Sequence, residues 1–267
     1  MKHLDLFSGI GGFALAAQEV WGDEYECVGF VEIDKYCQAL LKRRFPNVKI
    51  WGDIRTVTAD AESGQPGVKA EQEGRKNIGG SCCDLITGGF PCQPFSQAGK
   101  RRGTEDNRFL WPEMLRVIKD FKPRWVLAEN VRGILNIEGG MVFEQVLSDL
   151  EAIGYEVQAF IIPACAVNAP HRRDRVWIVG HTKRINAQRM WEKQDGQEQN
   201  RLCGRENKVW RKNWLEIATK LCGVDDGFPT ELDGLKLSKS RHRIERLKAL
   251  GNAIVPQVAV EIMRGIK

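Results

Sequence analysis

The chain has 267 residues, of which 42% are hydrophobic and 28% are charged. This composition excludes a mainly disordered chain, and the length allows one large domain or a domain with a smaller lobe. The formal net charge of +5 is too small to identify a partner, and no stretch approaches the roughly 20 apolar residues that a membrane-spanning helix needs.

Strands and helices alternate along most of the sequence. The predicted strands are 2–7, 25–33, 48–54, 83–89, 124–131, 155–164 and 175–181, the last two as a hairpin at the sheet edge. The predicted helices are 13–21, 34–45, 109–121, 141–154 and 243–266, the last with a Gly-Asn break. This alternation predicts an α/β fold, with a mostly parallel sheet covered by helices on both faces.

Two stretches interrupt the alternation. Residues 56–81 are polar and rich in glycine, which predicts a surface insertion. Residues 183–240 are rich in Lys, Arg, Gln, Asn and Trp. Between His181 and Ala249 the chain holds 16 Lys and Arg against 10 Asp and Glu, so the basic excess lies in this late segment. Such an excess favours a small lobe that binds a polyanion, although a basic solvated surface has the same composition.

The amino terminus and the cysteines bear on where the protein works. The segment "MKHLDLFSGIGGFALAAQ" imitates a signal peptide, but Asp5 and three glycines interrupt its apolar centre. The eight cysteines form no CxxC pair and have no zinc-like spacing to histidine. We therefore expect no metal site, reduced thiols and a cytoplasmic location.

Glycines and acidic residues follow the first three predicted strands. "DLFSGIGGF" joins the first strand to a helix, so its backbone can approach a ligand closely. Glu32 ends the second strand, where a carboxylate commonly binds ribose hydroxyls, and Asp53 ends the third, where it could bind an adenine amino group. These residues predict a pocket for an adenosine-bearing cofactor. A plain glycine turn and a nicotinamide site remain open alternatives.

A second group of motifs lies at the ends of later strands. "PCQ" (91–93), "ENV" (129–131) and "HRRDR" (171–175) are expected to converge on one cleft. Cys92 supplies a thiol nucleophile, Glu129 a carboxyl that can donate a proton, and Arg173 and Arg175 two cations. Taken singly, each also fits an ordinary structural or surface role.

In this order, the motifs resemble those of the cytosine-5 DNA methyltransferase family. The resemblance rests on "DLFSGIGGF", "VEIDKY", "GDI", "GGFPCQPFS", "ENV", "PHRRDRVWIVG" and "GNAIVPQV". It implies a Rossmann-like methyltransferase domain at 1–182 plus 241–267, with a small target-recognition lobe inserted at 183–240. His171 stands where the family usually has glutamine, and the lobe is short.

The resemblance also implies residue roles. Cys92 matches the nucleophile that adds to carbon 6 of cytosine, and Glu129 matches the carboxyl that protonates ring nitrogen 3. Arg175 would hold the carbonyl oxygen of the base, and Arg173 would support Cys92 and the ring. A cation near the thiol would favour the thiolate.

The implied ligands are S-adenosyl-L-methionine and double-stranded DNA. The residues matching the cofactor pocket are Phe7, Ser8, Gly9, Ile10, Gly12, Glu32, Ile33, Asp53, Ile54, Gly89, Pro91, Asn252 and Ile254. The residues matching DNA contacts in a closing loop are Gln93, Ser96, Lys100, Arg101 and Arg102.

We expect a monomer of bacterial or phage origin, for which a cognate restriction endonuclease is a candidate partner. The same motifs leave open a relative that methylates tRNA and an inactive DNA-binding relative.

Overall fold

The computed structural model describes residues 1–58, 83–92, 109–182, 231–232, 235–236 and 239–267. The strands are β1 Lys2–Leu6, β2 Glu26–Val31, β3 Ile50–Trp51, β4 Leu85–Gly88, β5 Trp125–Val131, β6 Tyr155–Ile162, β7 Arg175–Thr182, β8 Glu231–Leu232 and β9 Leu235–Lys236. The helices are α1 Gly12–Trp21, α2 Lys35–Arg44, α3 Trp111–Phe121, α4 Met141–Ala152, α5 Lys239–Asn252 and α6 Pro256–Ile266.

The two interrupting stretches fall mostly outside these residues. Of the predicted insertion 56–81, only 56–58 is described. Of the predicted lobe 183–240, the description covers β8 and β9, which pair as an antiparallel hairpin, and the first two residues of α5. The division into a catalytic domain and a recognition lobe therefore stays a prediction.

The larger sheet has seven strands in the order β3-β2-β1-β4-β5-β7-β6. All neighbours from β3 to β5 pair in parallel, whereas β7 runs antiparallel between β5 and β6. The predicted mostly parallel sheet and its edge hairpin are thus confirmed. The edge strand β3 is much shorter than predicted, because the chain turns at Asp53 into a 3₁₀ segment, Ile54–Thr56.

Side chains of the central strands alternate between two apolar layers. Leu6 and Ile86 face α3 and α4, whereas Leu85 and Leu127 face α1 and α6. Since successive strand residues point to opposite faces, a buried strand needs apolar side chains on both. The prediction of helices on both faces is confirmed.

A buried polar chain crosses the face beneath α1. His3 Nε2 lies 2.7 Å from Thr87 Oγ1 and His3 Nδ1 lies 2.9 Å from the hydroxyl of Tyr25, while Thr87 donates to Asp5 Oδ1 at 2.8 Å. Burial lowers the pKa of His3 to about 3 and raises that of Asp5 well above its usual value, against the opposing hydrogen bond from Thr87. Asp5, which interrupts the apolar amino terminus, is therefore an interior residue.

The carboxyl end of the chain packs on its beginning. α6 lies against α1 in the same apolar layer, and a Cβ atom at Gly12 would lie 2.7 Å from Ile254 Cγ1. No side chain fits at position 12 without displacing Ile254. The last helix therefore lies beside the first glycine motif.

Candidate active site

The described site residues lie along one edge of the sheet, where the parallel strands end. Motifs after β1, β2 and β3 lie on one half of this edge. Motifs after β4 and β5 lie on the other half, together with the first residue of β7, because Arg175 pairs with Val131 at the end of β5. The topology therefore brings the separated motifs to one edge.

Glu32 is held in place by the main chain. Its Oε2 accepts from the Gly9 amide at 2.6 Å, and its Oε1 accepts from the Asp34 amide at 2.8 Å. Burial raises the pKa of Glu32, and the two amide hydrogen bonds oppose that shift. Each carboxylate oxygen retains a further lone pair for a ligand.

Ser8 and Ile10 both make contacts with other residues of the protein. The Ser8 hydroxyl donates to the Asp5 carbonyl at 2.6 Å and accepts from the Val31 amide at 3.1 Å, which joins the glycine turn to β2. Ile10 is buried in a cluster with Tyr36 and Ala249. Phe7 is half-buried, with a positive φ of 53° that starts the turn.

Ile33 and Asp53 are the more accessible residues of this half. The Ile33 side chain is 73% exposed, an unusual position for a large apolar residue at a strand end. Asp53 accepts from the Arg55 amide through Oδ1, and its side chain is 39% exposed. Ile54 beside it is buried.

Asn252 and Ile254, near the carboxyl end of the chain, differ in exposure. Asn252 is the last residue of α5 and is exposed, whereas Ile254 is buried against Gly12. The close approach at Gly12 is thus made by Ile254.

Cys92 lies on the other half of the edge, after β4. Its side chain is buried although Pro91 before it is exposed. Burial and the nearby Glu129 carboxylate raise the pKa of the Cys92 thiol. The expected lowering of this pKa by a nearby cation is not seen.

Glu129 forms an ion pair with Arg175. Its Oε1 lies 2.9 Å from Arg175 Nε, and the carboxyl is 8% exposed. Burial raises the pKa of Glu129 to about 7, although Arg175 and Arg173 act in the opposite direction. A Cβ at Gly89 would lie 3.3 Å from Glu129 Oε2, so a glycine there leaves room for the carboxyl. Near neutral pH this group can hold or release a proton.

Arg173 joins the half of the sheet edge that carries Glu129 to the carboxyl end of the chain. With a φ of 38°, it directs Nη2 at the carbonyl oxygens of Gly251 and Ala253, at 2.8 and 2.6 Å. Burial and the neighbouring Arg175 lower its pKa. The structure therefore adds an anchoring contact to the role expected for Arg173.

Sequence reasoning missed Asn130 as a positioning residue. Its Nδ2 donates to the Phe90 carbonyl at 2.9 Å, and both groups are buried. This bond fixes the backbone two residues before Cys92 to the strand end that carries Glu129. The "ENV" motif was the available signal, but only its glutamate was considered.

The predicted DNA contacts lie outside the described residues. They are Gln93, Ser96, Lys100, Arg101 and Arg102. Among the residues that are described, no helix is long and apolar enough to cross a membrane. The same part of the chain contains no group of three or more His, Cys, Asp or Glu side chains that could hold a metal ion.

Known proteins show similarity to this chain in both sequence and structure. The chain is 34% identical over 187 residues to the Type II methyltransferase M.DsaV of Dactylococcopsis salina. The matched region covers 70% of this chain but 47% of that protein. A crystal structure of a putative prophage-encoded DNA modification methyltransferase from E. coli superposes with a TM-score of 0.52 at 26% identity, covering 68% of this chain and 47% of that one.

A third protein has a similar fold. Entamoeba histolytica methyltransferase EhMeth matches with a TM-score of 0.62 over 100% of this chain and 97% of its own, and at 15% identity it shows a shared fold alone. The fold is therefore that of a Rossmann-like methyltransferase domain. The profile of the C-5 cytosine-specific DNA methylase family matches residues 1–220. Since this match covers most of the chain, the protein belongs to that family.

Proposed function

We propose that the protein transfers a methyl group from S-adenosyl-L-methionine to carbon 5 of a cytosine in duplex DNA. The base is flipped out of the helix and bonds transiently to Cys92. The observation that carries this proposal is the pairing of a buried thiol with a buried carboxyl at adjacent strand ends. Glu129, with a pKa of about 7 and Arg175 at 2.9 Å, is suited to proton transfer beside that thiol.

The residues of the other half fit the cofactor. Glu32 offers free lone pairs to ribose hydroxyls, and the exposed Ile33 offers an apolar surface to the adenine ring. Asp53, still partly exposed, is an acceptor for the adenine amino group. When bound, S-adenosylmethionine would supply the electrophilic methyl group for carbon 5 of the activated ring. Its sulfur would keep the electrons of the broken sulfur–methyl bond, which leaves S-adenosylhomocysteine.

The chain's own residues activate the ring. The Cys92 thiol loses its proton to solvent, and its sulfur bonds to carbon 6 of cytosine. Negative charge then develops on the ring, and Glu129 donates its proton to nitrogen 3. After methylation a base removes the proton from carbon 5, the sulfur–carbon bond breaks with its electrons returning to Cys92, and nitrogen 3 returns its proton to Glu129.

Base flipping follows from the burial of the thiol. A cytosine stacked inside a duplex cannot reach Cys92, and extruding it costs a few kcal/mol of stacking and pairing. Gln93, which would fill the vacated stack, belongs to this proposal with Ser96 and the basic residues 100–102. Phosphate contacts by those basic residues would make DNA binding weaken steeply with salt.

Mapping of modified cytosines tests the function. DNA from a host without cytosine methylation should acquire 5-methylcytosine at one recurring sequence when the protein is expressed. Cys92→Ser should abolish the modification while the matched variant Cys165→Ser, which alters an exposed cysteine, should retain it. Methyl label found only in tRNA would overturn the DNA substrate, and full activity of Cys92→Ser would overturn the covalent route.

Partners and location follow from the substrate. A DNA-modifying enzyme of this family would act as a monomer in the cytoplasm of a bacterium or of a phage-infected cell. The name of the relative from Dactylococcopsis salina, a Type II methyltransferase, supports the pairing with a restriction endonuclease. If cells that carry the gene of a candidate endonuclease survive only when the gene of this protein is also present, that pairing is identified.

A further inference from the structure

The turn that carries Asp53 has little support from the sheet. β3, which precedes it, has two residues and, among the described strands, pairs only with β2 at the sheet edge. The Ile54–Thr56 turn follows. A short edge strand leaves the next carboxylate free to move unless another element holds it.

Arg116 of α3 holds this turn. Its Nη2 donates to the Ile54 carbonyl at 2.8 Å, and its Nη1 donates to the Val57 carbonyl at 2.8 Å. Both acceptors belong to residues with buried side chains, so the guanidinium closes the polar side of a turn whose apolar side packs in the core.

Two carboxylates orient the guanidinium itself. Glu113 Oε2 accepts from Arg116 Nε at 2.9 Å, and Asp120 Oδ2 accepts from Nη1 at 3.0 Å. They lie about one turn to either side of Arg116 on α3. A planar guanidinium fixed in this way presents its donors in a set geometry, which the flexible ammonium of lysine does not.

We propose that Arg116 is a positioning residue for the cofactor: it holds the turn that presents the Asp53 carboxylate to the adenine amino group. This inference rests on the proposed function, which assigns the adenine to Asp53. Arg116 touches neither cofactor nor DNA in this role and acts through the backbone of Ile54 and Val57.

Binding of S-adenosylhomocysteine by calorimetry tests the role. Arg116→Gln keeps a polar side chain but loses the charged fork, and its dissociation constant should rise about tenfold. Lys119→Gln, which removes an exposed positive charge from the same helix, should bind like the wild type. The dissociation constant of Arg116→Lys should lie between those of Arg116→Gln and wild type, because lysine cannot reach both carbonyls in one planar geometry.

An analogue of S-adenosylhomocysteine with hydrogen in place of the adenine 6-amino group separates positioning from general loosening. Arg116→Gln and wild type should bind this analogue equally, since Asp53 has no amino group to meet. An equal loss for both ligands, or no loss for either, would overturn the positioning role. A wild-type protein that binds neither ligand would instead overturn the proposed function. If Arg116→Gln does not fold, the same pair of ligands applied to Arg116→Lys decides the question.

Discussion

The two halves of the sheet edge hold a buried carboxylate in different ways. Glu32 and Glu129 are equally hidden, at 9% and 8% exposed, and burial raises the pKa of both. Glu32 is fixed by two main-chain amides. Among the described residues, Glu129 is held by the side chain of Arg175.

This difference matches the two roles proposed above, cofactor binding for Glu32 and proton transfer for Glu129. Main-chain amides cannot move without unfolding the turn, so Glu32 stays an acceptor in fixed geometry, as a binding group should. An arginine can follow the charge of its partner, and a carboxyl with a pKa near 7 can pass a proton in either direction at neutral pH. Two carboxylates that are buried to the same extent can therefore differ in role because their hydrogen-bonding partners differ.

The largest effect is expected at Glu129, in the half of the sheet edge that also carries Cys92. Glu129→Gln keeps the shape of the side chain but removes its proton, and single-turnover methyl transfer should slow by roughly 10²–10⁴-fold. Affinity for S-adenosylhomocysteine should stay within about twofold of wild type. Rapid-quench assays with labelled cofactor measure the first quantity and calorimetry the second. A large loss of cofactor affinity would mean that the two halves are not separate.

Glu32→Gln should give the reverse pattern. Losing the charge weakens hydrogen bonds to the ribose, so the dissociation constant of S-adenosylhomocysteine should rise about 10- to 100-fold. The single-turnover rate at saturating cofactor should change little. A variant that binds normally but reacts slowly would contradict the assignment of Glu32 to binding.

Gly12→Ala tests how the chain end supports the cofactor half. The added methyl meets Ile254 Cγ1 at 2.7 Å, and such overpacking costs about 1–3 kcal/mol of unfolding free energy. The double variant Gly12→Ala with Ile254→Ala should lose less than the sum of its parts, measured by denaturant unfolding. Strict additivity would show that this contact is not what requires glycine.

The smallest effect is the pH dependence of stability. Glu129 has a folded pKa near 7, above its ordinary value of 4.5, so its contribution is fully present below about 4.5 and is lost as pH rises through 7. Glu129→Gln should therefore lose less melting temperature than wild type between pH 5 and pH 8, by about 2–4 °C for each kcal/mol. If the melting temperatures of wild type and Glu129→Gln change with pH in parallel, the pKa of Glu129 is not raised in the folded protein and the prediction is wrong.

The sequence predicted a mostly parallel sheet covered by helices on both faces, because strands and helices alternate along the chain. It predicted the edge hairpin because two strand-like runs follow each other there without a helix between them. It did not predict the order of the strands. It overestimated β3, since apolar Ile50 and Trp51 continue into Gly52 and Asp53, and composition cannot reveal that the chain turns there.

The motifs pointed to the residues of the site but not to their partners. Glu32, Cys92 and Glu129 stood out by residue type at strand ends. Asn130 and Arg116 did not, because their roles come from carbonyl groups distant in sequence, at Phe90, Ile54 and Val57. The thiol pKa was also expected in the wrong direction, since burial is a property of the folded chain.

The bond between Cys92 and cytosine is tested most directly by trapping. In a duplex with 5-fluorocytosine at the mapped site, carbon 5 carries fluorine where the proton would be. A base cannot remove that fluorine after methylation, so the sulfur–carbon bond should persist. With S-adenosylmethionine, the wild-type protein should give a complex that survives denaturing electrophoresis, and Cys92→Ser should give none. The absence of that complex from a wild-type preparation that methylates ordinary DNA would contradict the covalent mechanism.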